Sequence, residues 1–163
     1  MLQTTKTIFR DPAWADLPQL LHLGRRLHSE AWYSYIPFDE NRVATFFYDL
    51  MMNREKNFCC IASRGGIIVG AIAGSRINYW FSRQPGVFDS FLYVLPDQRG
   101  SLIAFRLWQA MAAWSERSGA CELTHGVGTC SQTADRFFAG IGMTHVGGIY
   151  KMRLNSPDSA RKF

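Results

Sequence analysis

The run Asp89-Ser90-Phe91-Leu92-Tyr93-Val94-Leu95-Pro96-Asp97-Gln98-Arg99-Gly100-Ser101-Leu102-Ile103-Ala104 reads as a strand, a short polar turn and the start of an amphipathic helix. The first turn of a helix carries N–H groups without intrahelical partners and a partial positive charge, so a strand feeding it makes a cradle for phosphate. Asp89 heads this run among Phe88, Phe91 and Tyr93, and apolar neighbours suit a carboxylate to taking up a proton. His125, further along, carries the side chain best suited to acid or base work near neutral pH. Each has a plainer reading: an ordinary turn punctuated by Pro96 and Gly100, a solvent-facing charge at a strand entry, and a satisfied core or surface histidine.

The elements that must position these residues follow from period and punctuation. Thr5 to Arg10 reads as a first strand, broken by Asp11-Pro12 before a helix from about Trp14 to His28. A second helix starts at Asp39 or Glu40 and runs to about Asn53, with Val43, Phe46, Phe47, Leu50 and Met51 as its apolar stripe. Phe58 to Ser63 and Ile67 to Ser75 are β-rich runs around Arg64-Gly65-Gly66, a hairpin signal, and Val87 to Leu95 is the next strand of an antiparallel meander. A helix from about Gly100 to Ser118 puts Leu102, Phe105, Trp108, Met111 and Ala112 inward, and Cys121 to Val127 makes a strand parallel to the one before that helix. A short helix from Gln132 to Ala139, the turn Gly140-Ile141-Gly142 and a final strand pair within Met143 to Leu154 complete a single domain, 1–154. Residues 155–163 read as a mobile tail.

Composition bounds the classes open to the chain. Its 163 residues, 47% hydrophobic, suffice for one sizeable core. Apolar runs stop well short of a membrane span and the first residues lack a signal-peptide core, so the expectation is a cytoplasmic protein with no membrane partner. Cys59 and Cys60 are adjacent in a strand and point to opposite faces, while Cys121 and Cys130 match no metal-ligand spacing. Buried reduced thiols and no metal are expected. The net charge of +5 permits an anionic ligand or a nucleic acid without requiring either, because Lys and Arg are scattered.

With the elements in order, Val94 to Ala104 resembles the acyl-CoA-binding motif of the GCN5-related N-acetyltransferase (GNAT) superfamily, often V-x-P-x-x-R-G-x-G-x-G/A. Ala134-Asp135-Arg136-Phe137-Phe138-Ala139-Gly140-Ile141-Gly142-Met143 looks like that family's last-helix signature, A-x-x-x-Y-x-x-x-G-F. The resemblance covers Thr5 to Leu154. It implies an α/β (α+β) fold with a mixed, mostly antiparallel sheet of about six to seven strands, splayed at the middle, and about four helices on both faces. The pantetheine arm of acetyl-CoA would lie in the splay against the main chain of Leu92, Tyr93 and Val94. The pyrophosphate would meet the N–H groups of Arg99, Gly100, Ser101, Leu102, Ile103 and Ala104.

Two departures bear on chemistry. Leu102 stands where the family most often has the glycine that lets phosphate approach, so its side chain must point away. Phe138 stands at the tyrosine position that often protonates the departing CoA thiolate, and phenylalanine donates no proton. Tyr150, on the expected last strand, His125 beside the splay, and Asp89, where related enzymes often place a proton-accepting carboxylate, are the substitutes. Ser131 falls near a position where the family often carries a cofactor-touching asparagine, and it is equally a plain helix N-cap.

On the acceptor side, the resemblance places Trp32, Tyr33 and Tyr35 of the first interhelical loop and Tyr79 and Trp80 after the third strand. These rings would line a pocket, or else seal a core or a homodimer contact. Few acids accompany them, which favours a small monoamine or a peptide or protein terminus over a polycation. The expected activity is acetyl-CoA-dependent acetyl transfer to a primary amine by direct attack. The rival is a noncatalytic module of the same fold that binds CoA or nucleic acid.

Overall fold

Backbone pairing joins five strands into one sheet in the order β1 (Thr7–Arg10), β2 (Asn57–Arg64), β3 (Ile67–Asn78), β4 (Pro85–Val94) and β5 (Leu123–Thr124). The computed structural model describes residues 6–129 and 132–154, and the chain divides into two units, Met1–Cys130 and Ser131–Phe163. Strands β1 to β4 are antiparallel in sequence order, and β5 pairs with β4 in parallel after a crossover through a helix. Gly65 and Gly66 turn β2 into β3 with φ of 58° and 81°, the two left-handed positions that a tight hairpin of this type requires.

The strands alternate inward faces, and each face has its own helices. Cys59, Ile61, Ala71, Ala73 and Tyr93 pack with α1 (Leu17–Glu30) and α2 (Glu40–Met52), whose buried residues include Leu20, Leu23, Phe47 and Leu50. Cys60, Ala62, Ile72, Val87 and Val94 pack with α3 (Ile103–Arg117) on the opposite face. The adjacent cysteines therefore do lie on opposite faces. Burial pushes their thiols up, to about 12 for Cys59 and about 11 for Cys60, which keeps them protonated and inert. Cys121 is exposed, against the expectation of burial.

Several boundaries differ from expectation for local reasons. A single 3-10 turn, Trp14–Asp16, precedes α1, and α2 begins where the Asp39 carboxylate caps the Arg42 N–H at 3.1 Å. The buried stripe of α3 is Ile103, Leu107, Met111 and Ser115. Leu102, Phe105 and Trp108 fall outside it, because Leu102 is the N-cap and the buried residues recur every four positions from Ile103; the last of them, Ser115, satisfies its hydroxyl on the Met111 carbonyl at 2.9 Å.

In the second unit, α4 (Gln132–Gly140) ends in a Schellman turn: Met143 N–H donates to Phe138 O and Gly142 N–H to Ala139 O, with Gly142 at φ 88°. The glycine of the second motif is thus a helix stop. The expected strand pair within Met143 to Leu154 is absent, so the described sheet has five strands, not six to seven. Gly147-Gly148 interrupts that run with residues of low strand propensity, and Val146, Ile149 and Tyr150 are exposed. The expected tail, 155–163, lies outside the described residues.

Candidate active site

Strand β4 has two different edges. Leu95 N–H donates to Val69 O on the β3 side, and by the two-residue alternation of an antiparallel ladder Tyr93 faces β3 as well. Leu92 and Val94 therefore direct their main-chain groups to the other side. There β5 pairs only with Val87 and Phe88, so the sheet opens from Asp89 onward. Of the expected trio, Leu92 directs both main-chain groups to the opening and Val94 its N–H, the Val94 carbonyl being taken by Arg99, whereas the backbone of Tyr93 belongs to the ladder.

The turn below the opening is held by side chains. Arg99 donates from Nε to Val94 O at 2.9 Å and from Nη2 to Glu30 at 2.6 Å, and it lies over the Tyr93 ring at 5.3 Å. Tyr93 donates its hydroxyl to the same Glu30. Burial pushes the Glu30 carboxyl up, but the Tyr93 hydroxyl and the Arg99 guanidinium outweigh it and hold it below its ordinary value. Glu30 thus ties the end of α1 to the turn, a role no local pattern marks.

The Arg99 N–H is directed to Pro96 O at 3.3 Å, so of the expected run of main-chain donors this one is already taken within the turn. Gly100 has φ 80° and open space where a Cβ would stand, the Ser101 hydroxyl donates to Gln98 O at 2.7 Å, and α3 starts immediately after. Leu102 occupies the N-cap with its side chain 68% exposed, turned out of the core. Together with the first-turn N–H groups of Ile103 and Ala104, this loop and the open β4 edge fit a pantetheine pyrophosphate: strand-like donors and acceptors above, a helix N-terminus below.

At the head of the opening, two of the candidate catalytic residues meet. His125 Nδ1 lies 3.1 Å from Asp89 Oδ2, with the side chains only 1% and 4% exposed, and Gly126 N–H donates to Asp89 Oδ1 at 2.8 Å. The carboxylate thus faces the imidazole and takes a backbone donor as well.

Ser90 is the extra residue of a bulge: Asp89 pairs with Gly74 and Phe91 with the adjacent Ala73. On the α1–α2 face the bulge borders a cavity of about 450 Å³, lined by Leu27, Tyr33, Phe38, Phe46, Ser90 and Phe91 among others. Tyr33 lines this cavity and feels Asp89: burial first, and then the Asp89 charge, raise its phenol above the ordinary value. Trp32 is joined to Tyr33 edge-on and its main-chain N–H donates to Gly128 O at 3.0 Å, which ties the loop to the segment after β5.

Other expected residues stand apart. Tyr35 is 44% exposed and Trp80 is 96% exposed, and neither lines the cavity. Tyr79 stacks on Phe81 and donates to Glu122, which raises its phenol to about 12, at the far end of the β3–β4 hairpin. Ser131 lies outside the described residues. Phe138 is on α4, and Tyr150, 97% exposed, is in no strand. Among the described residues no group of three His, Cys, Asp or Glu side chains gathers as a metal site would, and no helix is long and apolar enough to cross a membrane.

The family model described as the acetyltransferase (GNAT) family matches residues 19–143. Among solved structures, the aminoglycoside acetyltransferase AAC(6')-Iy, in complex with a bisubstrate analogue of CoA and acetylneamine, is 17% identical, with 93% of this chain and 100% of that chain covered and a TM-score of 0.72. A transcriptional regulator from Bacillus halodurans C-125 is 15% identical over 91% of this chain and 100% of its own, TM-score 0.75. AAC(6')-IG from Acinetobacter haemolyticus is 15% identical over 91% and 99%, TM-score 0.72. At these identities the likeness carries the fold alone. No curated protein matches the chain.

Proposed function

The chain belongs to the acetyltransferase (GNAT) family, and from that premise we propose that it is an acetyl-CoA-dependent N-acetyltransferase acting on a primary amine by direct attack. The observation that carries this reading is the buried Asp89–His125 pair, 3.1 Å apart, at the head of the β4 opening and beside the Ser90 bulge. Acetyl-CoA, when bound, supplies an acetyl group activated as a thioester. Leu92 and Val94 align its arm through main-chain bonds, and Gly100 to Ala104 hold the phosphates. Structures of similar fold include one bound to a CoA analogue, which supports this assignment of the ligand.

In this reading the buried Asp89–His125 pair takes up the proton of the attacking amine. The amine nitrogen bonds to the acetyl carbon, the carbon–sulfur bond breaks, and sulfur leaves with the electron pair to be protonated by His125 or solvent. Phe138 cannot take part in that last step, and Tyr150 is a weaker substitute than His125 because no described element holds it.

Phe138 also favours the second reading, a module that binds CoA without turnover. Calorimetric titration with acetyl-CoA, followed by thiol release across a panel of primary amines, separates the two. Binding with amine-dependent release supports the enzyme; binding without release from any amine favours the module; no binding removes both.

A further inference from the structure

The cavity beside the Ser90 bulge has a composition that bears on which amine the protein accepts. Its floor is made by Leu23, Phe47 and Tyr93, all buried, and its walls by Leu27, Phe46 and Phe91. At about 450 Å³ it falls within the roughly 300–1,000 Å³ of small-molecule sites, which are mostly apolar with a few placed polar groups.

Several polar groups on its lining have partners within the fold. His28 meets the Ile36 carbonyl at 2.7 Å and has Tyr33 and Phe38 against its ring. Asp39 caps α2, and Arg42, the other formally charged lining residue, cancels it in sign. Outside, the Arg25 guanidinium lies 4.6 Å over the Phe38 ring and pairs with Glu40 at 2.5 Å, so a cation–π position on that ring is filled. A polycation would find mostly rings here, with Asp39 the one carboxylate among the lining residues and Arg42 on the same lining, too few acids to receive each ammonium. At the reacting end Asp89, whose charge reaches the Tyr33 phenol, offers one carboxylate, which provides for a single amine nitrogen.

Resting on the acetyltransferase reading, we propose that the acceptor is a primary monoamine borne on an apolar, ring-sized body, such as an arylalkylamine, seated in this cavity with its nitrogen toward Ser90. Its nitrogen takes the acetyl group from acetyl-CoA as the carbon–sulfur bond breaks, yielding the N-acetylamine and CoA thiol, with the amine proton passing to His125. The apolar body is recognised by burial, so specificity follows size and hydrophobicity instead of charge count.

The test uses the full chain with phenethylamine, n-butylamine, spermidine and kanamycin. Phenethylamine is expected to shift the methyl NMR signals of Leu23, Leu27, Ile36 and Val43, and to give a kcat/KM at least tenfold above spermidine and kanamycin in thiol release. Ile36→Asp, at the exposed rim, is expected to raise the KM for phenethylamine at least tenfold while leaving the Kd for acetyl-CoA within twofold. Turnover of spermidine or kanamycin equal to or better than phenethylamine overturns the acceptor class and leaves the acetyltransferase reading intact. Absent methyl shifts at millimolar phenethylamine overturn it as well. Failure of acetyl-CoA to bind, with the methyl shifts present, removes the acetyltransferase reading while the apolar-amine site stands.

Discussion

At Asp89 the carboxylate accepts from Gly126 N–H and faces His125 Nδ1, so removing its charge leaves the imidazole misoriented without opening a cavity. Asp89→Asn is therefore expected to lower kcat by about 10²-fold or more, the scale of a lost acid–base contribution, with the acetyl-CoA Kd within twofold of wild type by calorimetry. Equal loss of Kd and kcat would mean that Asp89 serves the sheet, not the chemistry. Asp89 and His125 were each legible as candidate proton carriers from residue type, but as alternatives; that they stand 3.1 Å apart follows from the fold, which brings β4 beside the segment after β5. Tyr150 shows the limit of that reasoning: a phenol was legible, but the strand meant to deliver it contains Gly147-Gly148 and does not form.

Asp16 carries the pH prediction. It takes a bidentate pair of bonds from Arg10 at 2.6 and 2.9 Å and a third from Ala13 N–H, and the Arg10 bonds hold its carboxyl below the ordinary carboxylate value despite burial. A depressed folded pKa means stability that is present above the unfolded value and lost as pH falls through the folded one. In Asp16→Asn that acid-side loss should disappear from the pH dependence of urea unfolding below about pH 4. The variant should also be less stable near pH 7, by about 1 kcal/mol after allowing for the half-exposed Arg10.

Among elements, the α1 end and the β4–α3 turn are linked through Glu30, Tyr93 and Arg99. Glu30→Gln should loosen the turn and weaken acetyl-CoA binding several-fold by calorimetry while leaving the fold intact by circular dichroism. Unchanged affinity would show that the turn holds its shape without this tie. Gly74 opposes the bulge, and a Cβ there would stand 2.8 Å from Phe88 O and 2.0 Å from Met111 Cε. Gly74→Ala should therefore cost about 1–3 kcal/mol in denaturant unfolding, the range for overpacking.

The hairpin at Gly65-Gly66, the start of α2 at Asp39 or Glu40 and the meander were readable because each depends on local backbone chemistry. The bulge was not: nothing in Asp89-Ser90-Phe91 distinguishes an inserted residue from regular pleat, since it arises from the pairing with Ala73 and Gly74. The α3 stripe was misplaced because its buried residues recur every four positions from Ile103, one of them the polar Ser115, whose hydroxyl is satisfied inside its own helix.

Across the molecule, a two-faced sheet with α1 and α2 on one side and α3 on the other places the candidate acceptor cavity on the α1–α2 face and the phosphate-facing loop at the start of α3. Both reach the same stretch of β4, so the amine and the thioester would approach from neighbouring directions, as direct attack requires. The net charge of +5 is diffuse, consistent with attraction of a polyanionic CoA and not with a dedicated nucleic-acid groove. The most direct measurement is mass-spectrometric: the full chain with acetyl-CoA and phenethylamine, and in parallel its His125→Asn variant, which retains a hydrogen-bonding group toward Asp89. N-acetylphenethylamine and free CoA in equal amounts, with the rate about 10²-fold lower in the variant, is the predicted result. Acetyl-CoA bound yet unconsumed with this and every other primary amine would contradict the account.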